Sequence, residues 1–351
     1  MATSSNKYND LVEKDIRKKL KEIEEELPKF CRSYFIGIEN TTLPRTKLGY
    51  AYDIRIFFQY LEQINPEYKK LGMRNFPISI LEDQTSMDIE EYMIYLKCYE
   101  KDGIEYTNNE RGIKRKMSSL RSLYLYFFKK EMIKTNPTVT VDMPKLHEKA
   151  IIRLEPHEIV SLLDVTESGM NMSKRQLAIH QQTKERDVAL LTLLLGTGIR
   201  VSECVGIDIN DINFENGQLL IHRKGGKEAI IYFGEEVEDA LLVYMEQRKD
   251  MHPKEGHENA FFLSLKNQRI SVRAVELLVR KYSLLSSTVK HITPHKLRST
   301  YGTRLYEESS DIYLVADVLG HKDVNTTRRH YATIDEEKRR SARNKVKLRE
   351  E

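Results

Sequence analysis

The sequence predicts a mainly α-helical protein in two domains, with a small antiparallel β-sheet in the second. Apolar residues recur at helical spacing over most of the chain. Two-residue turn signals, Asn216-Gly217 and Gly225-Gly226, separate short apolar runs that are typical of strands. Residues 138–150 include Pro144 and have no helical period, which indicates an extended linker. Because 351 residues are long for one core, we expect domains at 1–137 and 151–351.

The N-terminal domain is predicted to consist of helices. Spacing typical of amphipathic helices covers 7–30, 47–64, 88–99 and 109–132. The segment that contains Pro66, Gly72 and Pro77 indicates a loop, and Asn136-Pro137 ends the domain.

The helix at 109–132 is strongly basic. It carries seven Lys and Arg side chains against two acidic ones, Glu110 and Glu131. Such a helix suits electrostatic contact with the phosphates of a nucleic acid, which does not depend on base sequence. A solvated basic face is the alternative. The candidate phosphate contacts are Arg111, Lys114, Arg115, Lys116 and Arg121.

The C-terminal domain is predicted to pass from helices through the sheet to further helices. A helix starts at Pro156, residues 169–184 form a loop or a short exposed helix, and a buried helix runs from Glu185 to Gly196. The predicted strands are 212–214, 219–221 and 229–233, with Lys224 at the second turn. The later helices are 236–248, 271–283, 294–307 and 312–319, followed by a helix that bears Tyr331 and a basic tail at 336–351.

The sequence argues against a secreted protein, a membrane-spanning protein and a metal-binding protein. The N-terminus has no apolar signal core, and the longest apolar run, 188–195, is too short to cross a membrane. The three cysteines are scattered without metal-ligand spacing, which favours reduced thiols in a cytoplasmic protein. No acidic cluster suited to a divalent metal is present near the candidate site residues, so we expect no metal and no cofactor.

Basic side chains follow glycine or proline turns at three places in the C-terminal domain. Arg200 follows the Gly196-Thr197-Gly198 turn, and Glu203 is placed to pair with it, either as a support or as a structural ion pair only. His295 and Arg298 lie three positions apart at the start of a helix, so they share one face. His321 follows Gly320 at a helix end. Two arginines and two histidines in this order indicate a site for a phosphate group.

These segments resemble the tyrosine recombinase family, which includes phage and transposon integrases and Xer-type recombinases. The resemblance covers 154–331 through 196–203, the hairpin at 223–227, 295–298, and 319–321 followed by Tyr331. It implies a two-domain clamp on double-stranded DNA, with a helical core-binding domain and a catalytic domain. Strand transfer without metal or ATP, and assembly of four protomers on two DNA sites, are likewise implied by the resemblance.

The resemblance also implies a role for each site residue. Arg200 and Arg298 would hold the scissile phosphate, and Glu203 would support them. Lys224 would be the general acid on the hairpin, His295 and His321 would complete the pocket, and Tyr331 would be the nucleophile.

Two of these assignments have rivals. Tyr331 lies ten positions after His321, whereas many family members show nine, which here would be His330. Other tyrosines, Tyr301, Tyr306 and Tyr313, do not follow the Gly320-His321 turn. Lys227 is the rival of Lys224, and otherwise a candidate DNA contact.

Two other functions remain open at this point. A type IB-like topoisomerase would use the same chemistry to relax supercoils, and a DNA-binding protein of the same fold would not cleave. Within the family, integration and resolution are both open. We expect the segment before the core-binding helices to be too short for a separate arm-binding domain. The tail is predicted to be either a solvated segment or a contact to a neighbouring protomer.

Overall fold

The computed structural model of the chain describes residues 4–101, 103–146, 152–223, 227–286 and 290–320, together with Val324. The chain divides into two compact units, Lys7–Lys149 and Ala150–Glu351, with Met1–Asn6 assigned to the second. We refer to them as the N-terminal and the C-terminal unit. The predicted fold class, mainly helical with a small antiparallel sheet, is confirmed.

The N-terminal unit is built from helices and one β-hairpin. Its helices are α1 (Ser4–Glu26), α2 (Cys31–Gly37), α3 (Pro44–Ile64), α4 (Pro66–Leu71), α5 (Ser86–Tyr95) and α6 (Glu110–Lys129), with 3₁₀ turns at Met73–Asn75, Ile78–Leu81 and Pro137–Val139. The antiparallel hairpin pairs β1 (Cys98–Lys101) with β2 (Ile104–Thr107). Helix starts follow from local sequence: Thr85 and Asp88 form a capping box on α5, and Asn109 accepts from the Gly112 N–H on α6.

Aromatic side chains fill the core of this unit. Phe57 and Phe58 of α3, Tyr92 of α5 and Phe127 of α6 are fully buried. Burying a side chain of this size stabilises a fold by about 1.5–3 kcal/mol relative to exposure. The buried Tyr124 hydroxyl donates to the Leu81 carbonyl at 3.1 Å, which satisfies its polar end. Helix α6 is therefore held rigidly along its apolar face.

The C-terminal unit surrounds a small antiparallel sheet with helices. Its helices are α7 (Pro156–Ser168), α8 (Lys174–Thr197), α9 (Val201–Gly206), α10 (Glu235–Lys249), α11 (Val272–Leu285), α12 (Pro294–Ser309) and α13 (Ile312–Leu319), with a 3₁₀ turn at Ile209–Asp211. The strands β3 (Ile212–Asn213), β4 (Gln218–Arg223) and β5 (Lys227–Tyr232) lie in the order β3-β4-β5. The last β4–β5 pair in the register is Arg223 with Lys227.

Helix α8 forms the centre of this unit. Its apolar half, including Leu190, Leu191 and Leu194, is fully buried. The buried Asp187 on the same helix accepts hydrogen bonds from the hydroxyls of Thr183 at 3.0 Å and Tyr282 at 2.8 Å. Helix α8 is thus fixed by the packing of its buried side chains and by the hydrogen bonds to Asp187.

Several predicted elements differ from the structure. Helix α8 starts at Lys174, because Ser173 and Gln176 form a capping box in a segment predicted as a loop or a short exposed helix. The helix predicted over 88–99 ends at Tyr95, and a hairpin follows it. The predicted loop after residue 64 contains α4 and two 3₁₀ turns. Residues 137–139 at the start of the predicted linker form a 3₁₀ turn, and Thr138 is buried.

Among the helices that the structure describes, none is both long enough and apolar enough to cross a membrane.

Candidate active site

The C-terminal end of α13 is the point at which two of the predicted phosphate-binding side chains meet. Arg200 donates from Nη2 to the Gly320 carbonyl at 3.2 Å, and Arg298 donates from Nη2 to the Leu319 carbonyl. These are adjacent carbonyls, although the two arginines lie 98 positions apart in the sequence. Carbonyls at a helix end lack intrahelical donors and carry partial negative charge, so they attract guanidinium groups.

Arg200 is held by the residues that follow it. It is the N-cap of α9, two positions after Gly198, which ends α8 in the left-handed conformation with φ 61°. The buried Glu203 carboxylate accepts from the Arg200 backbone N–H at 2.8 Å and from Nη1 at 2.7 Å. The Arg200 side chain stays 39% exposed. The expected ion pair is therefore present, and it leaves Arg200 reachable by a ligand.

Arg298 is more deeply buried. Pro294 starts α12, which places Arg298 on its second turn with a residue exposure of 6%. Its Nη1 donates to the Gly198 carbonyl at 2.7 Å. Since Gly198 also precedes Arg200 by two positions, one glycine turn connects both arginines. The guanidinium of Arg298 thus joins the end of α8 to the end of α13.

Position 198 requires glycine for two reasons: the backbone conformation and the lack of space for a side chain. Its positive φ is disfavoured for residues with a Cβ. A Cβ at this position would also collide with the ring of Tyr301 and lie 3.1 Å from Leu319 Cδ2. The close approach of α12 and α13 to the glycine turn is what brings the arginines together.

The other predicted site residues divide into two groups. His295 lies on the first turn of α12, is exposed, and shares a face with Arg298 one turn later. Lys224, His321 and Tyr331 lie outside the described residues, although His321 directly follows Gly320 in the sequence.

The rival tyrosines are all on described helices. Burial raises the pKa of the Tyr301 phenol, which disfavours the phenolate that attack requires. Tyr306 is buried in a cluster with Val315 and Leu319, whereas Tyr313 is 71% exposed. None of them is a predicted nucleophile, and the assignment to Tyr331 stays a prediction.

The candidate DNA contacts on α6 occupy different environments. Arg111 is exposed and Lys114 is half-buried, so both ammonium and guanidinium groups are accessible to a phosphate. Arg115 is exposed but forms an ion pair with the buried Asp53. Lys227 is exposed on β5 of the C-terminal unit.

Two of those contacts are poorly placed for the predicted role. Lys116 is 7% exposed and donates to the Asn108 side chain at 2.6 Å, and burial lowers its pKa. Arg121 donates to the Thr138 carbonyl at 3.1 Å and to the Val141 carbonyl. Both side chains therefore contact other parts of the same unit, and their role as phosphate contacts stays a prediction. The amphipathic pattern of α6 did not reveal these contacts, because Asn108 lies before the helix and Thr138 and Val141 lie after it.

Arg223 is a further residue at the end of α13 that the sequence analysis did not single out. It donates from Nη2 to the Val318 carbonyl at 2.9 Å. Its only signal in the sequence is its position directly before Lys224. Within the described part of the chain, no three His, Cys, Asp or Glu side chains are grouped as metal ligands.

Comparison with known proteins covers most of the chain. Residues 152–338 match the family described as the phage integrase family. The tyrosine recombinase XerC of Caldanaerobacter subterraneus subsp. tengcongensis is 33% identical over 330 residues, which are 91% of this chain and 86% of that protein. The tyrosine recombinase XerC of Bacillus subtilis is 31% identical over 284 residues, 78% of this chain and 89% of that protein.

A solved structure shares the fold. The site-specific recombinase XerH, in a post-cleavage complex with its palindromic difH substrate, gives a TM-score of 0.62 at 19% identity, over 86% of this chain and 80% of that chain. At this identity the likeness extends to the fold alone. The family model and the two XerC proteins are the basis for the assignment: the chain belongs to the phage integrase family and is a tyrosine recombinase.

Proposed function

We propose that the chain cuts and rejoins DNA strands at specific sites through a covalent 3′-phosphotyrosyl intermediate on Tyr331, without metal or ATP. The observation that carries this proposal is the meeting of Arg200 and Arg298 at adjacent carbonyls of one helix end. Two guanidiniums that converge there can bind the two non-bridging oxygens of one phosphate.

Guanidinium groups suit this task for electrostatic reasons. Attack on a phosphodiester increases the negative charge on the non-bridging oxygens in the transition state. A guanidinium stays charged at any working pH and offers paired donors that match those oxygens. Removing one such preorganised donor typically costs about 3 kcal/mol in transition-state stabilisation. Glu203 and the Gly198 carbonyl hold the two groups before DNA arrives, so little reorganisation is needed.

In the covalent step, a bond from phosphorus to Tyr331 replaces the bond from phosphorus to the 5′ oxygen. The Tyr331 oxygen attacks phosphorus, the phenol loses its proton, and the bond from phosphorus to the 5′ oxygen breaks. A phenol has a reference pKa of about 10, so nearby positive charge and a histidine acceptor lower the cost of its ionisation. His295 and His321 are the candidate acceptors, and Lys224 is the candidate donor to the leaving oxygen.

The intermediate explains why no energy source is required. One phosphodiester is exchanged for another ester of similar energy, and the 5′ hydroxyl of a second strand reverses the step. If that hydroxyl belongs to a partner duplex, the product is recombinant DNA.

We further propose that double-stranded DNA is the substrate and that four protomers assemble on two sites. The 7–149 unit would be the core-binding domain and the 150–351 unit the catalytic domain. On α6, the exposed Arg111 and the half-buried Lys114 would contact phosphates. The XerH structure, which contains DNA after cleavage, supports this by analogy of fold.

A nicked duplex tests the proposal, because cleavage near a nick releases the short 5′-hydroxyl product and traps the protein on DNA. The duplex is taken from genomic fragments that the full-length protein retains. We expect a covalent adduct with the wild type and none with Tyr331→Phe. Recombinant product from two intact sites separates a recombinase from a topoisomerase, which would relax a supercoiled plasmid only. An absence of adduct with every retained fragment would indicate a non-cleaving DNA-binding protein.

A further inference from the structure

Arg223 connects the sheet to the helix end at which the two candidate phosphate-binding arginines meet. It is the last residue of β4 and lies 95 positions before Val318, whose carbonyl it contacts. A Cβ built on Gly320 would collide with Nη1 and Cζ of Arg223 and lie 2.9 Å from Nε. The guanidinium therefore packs directly on the open face of this glycine.

With Arg223, each carbonyl of the last turn of α13 has a donor. A helix leaves its final carbonyls without intrahelical partners. The Gly320 N–H serves the carbonyls of Ala316 and Asp317. The next three carbonyls, those of Val318, Leu319 and Gly320, accept from Arg223, Arg298 and Arg200 in that order.

Arg223 also connects the far end of β4 to α13, which the hydrogen bonds of the sheet do not do. Strand β4 pairs with β3 only at Gln218 and Leu219, near its start. Its far end pairs with β5, whose Lys227 and Glu228 are exposed. Among the described residues, the Arg223 Nε is buried without a hydrogen-bond partner. The guanidinium thus contacts the Val318 carbonyl through Nη2 while its Nε stays unsatisfied.

We propose that Arg223 is a positioning residue for strand cleavage. It holds the last turn of α13 so that the Leu319 and Gly320 carbonyls orient Arg298 and Arg200 toward one phosphate. This inference rests on the proposed function, in which those two arginines bind the scissile phosphate. Arg223 acts through them, because its Nη2 donates to the Val318 carbonyl and its guanidinium lies against Gly320.

A pair of substrates tests this role. One is the nicked duplex, and the other carries sulfur in place of the bridging 5′ oxygen at the scissile bond. A thiol has a reference pKa of about 8.5, so the sulfur leaves as a thiolate without a proton donor. The second substrate therefore relieves a defect in proton donation but not a defect in the geometry of the phosphate pocket.

The variants are Arg223→Ala and Arg223→Lys in the full-length protein, with Arg304→Ala on α12 as the matched control. Arg304 is exposed and carries the same charge.

We expect single-turnover cleavage by Arg223→Ala to fall by about 100-fold on both substrates, as for a small misplacement of catalytic groups. Arg223→Lys, which keeps the charge but loses the planar fork, should be intermediate. Lys224→Ala should recover on the sulfur substrate. DNA affinity of Arg223→Ala should match that of Arg304→Ala.

Two results would overturn the inference. Cleavage by Arg223→Ala at the rate of Arg304→Ala would remove any role for the contact. Recovery of Arg223→Ala on the sulfur substrate, as for Lys224→Ala, would assign Arg223 to leaving-group protonation instead. Should Arg223→Ala fail to fold, Arg223→Lys is compared on the same two substrates. Failure of the wild type to form any adduct is a separate outcome, which would reject the proposed function and this inference with it.

Discussion

At the scale of single residues, Arg200 and Arg298 have different surroundings despite their common helix end. The Arg200 side chain is 39% exposed and paired with Glu203, whereas Arg298 is buried and donates to carbonyls of two elements. Replacing Arg298 by lysine therefore leaves a buried carbonyl unsatisfied, at a cost of about 1–3 kcal/mol. The same change at Arg200 weakens its contacts to Glu203 and to the Gly320 carbonyl, but at a side chain that is 39% exposed, where water can replace a lost donor.

We therefore predict that Arg200→Lys and Arg298→Lys separate catalysis from stability. Both should slow single-turnover cleavage by about 100- to 1,000-fold, since each loses one preorganised donor. Only Arg298→Lys should also lower Tm, by roughly 2–4 °C per kcal/mol lost in a domain of this size. Cleavage rates and thermal unfolding of the two variants check this. Near-normal cleavage by Arg200→Lys would contradict the proposed phosphate contact.

A further prediction concerns Glu203, which accepts from both the backbone and the side chain of Arg200. In Glu203→Gln one oxygen remains, but the charge is lost and the amide donors face the guanidinium. Cleavage should fall about tenfold, or roughly 1.4 kcal/mol in the barrier, while DNA affinity stays unchanged. Glu308→Gln, at an exposed position of α12, is the control. Equal rates for the two variants would show that the ion pair is structural only.

At the scale of elements, the glycine turn after α8 determines how closely α12 and α13 approach it. We predict that Gly198→Ala lowers the free energy of unfolding by about 2–4 kcal/mol, from its positive φ and from displacement of the Tyr301 ring. Gly256→Ala is a matched control, because Gly256 also has a positive φ but has no described atom within 4 Å of its Cβ position. It should lose only the backbone share. Chemical denaturation measures both, and equal losses would argue against the ring contact.

Element boundaries show what the sequence could and could not predict. The helices with clear apolar periods, such as α3, α12 and α13, were predicted close to their observed bounds. The start of α8 was missed because Lys174 to Lys184 is polar without a period, although Ser173 and Gln176 have capping-box spacing. The β1–β2 hairpin was not predicted, because the helical pattern of the preceding segment continues through Cys98 and Tyr99, although Asp102-Gly103 is a typical hairpin turn.

The candidate site was predictable only in part, for a similar reason. Arg200, Glu203 and Arg298 stand in motifs with local spacing, and the structure brings them together. Arg223 could not be identified, because its partner lies 95 positions away and no local pattern marks the contact. The contacts that Lys116 and Arg121 make within the unit could not be predicted either, because they depend on how α6 packs.

At the scale of the whole molecule, a DNA recombinase must neutralise phosphates along its binding site. Release of counterions makes such binding depend steeply on salt. We predict that affinity for the target duplex falls by about 1,000-fold or more between 50 and 200 mM salt, as for 6–10 phosphate contacts. Arg111→Ala and Lys114→Ala should each reduce the salt slope by about one contact. A flat salt response in a fluorescence anisotropy titration would contradict DNA as the main partner.

The family assignment identifies the protein class, and integration and resolution are two biological roles within that class. Sequence similarity to two XerC recombinases places the chain among the tyrosine recombinases. Integration and resolution share the same strand chemistry, so the site residues do not distinguish them. The DNA that flanks the gene distinguishes integration from resolution. Transposon ends would indicate integration, and repeat sites would indicate resolution.

The identity of the residue esterified to DNA tests the central claim most directly. The adduct trapped on the nicked duplex is digested with protease and nuclease, and the modified peptide is sequenced by mass spectrometry. We predict one peptide, with a nucleotide 3′-phosphate on Tyr331, and its loss in Tyr331→Phe. Attachment to Tyr301, Tyr306 or Tyr313, or to any residue other than a tyrosine, would contradict the account.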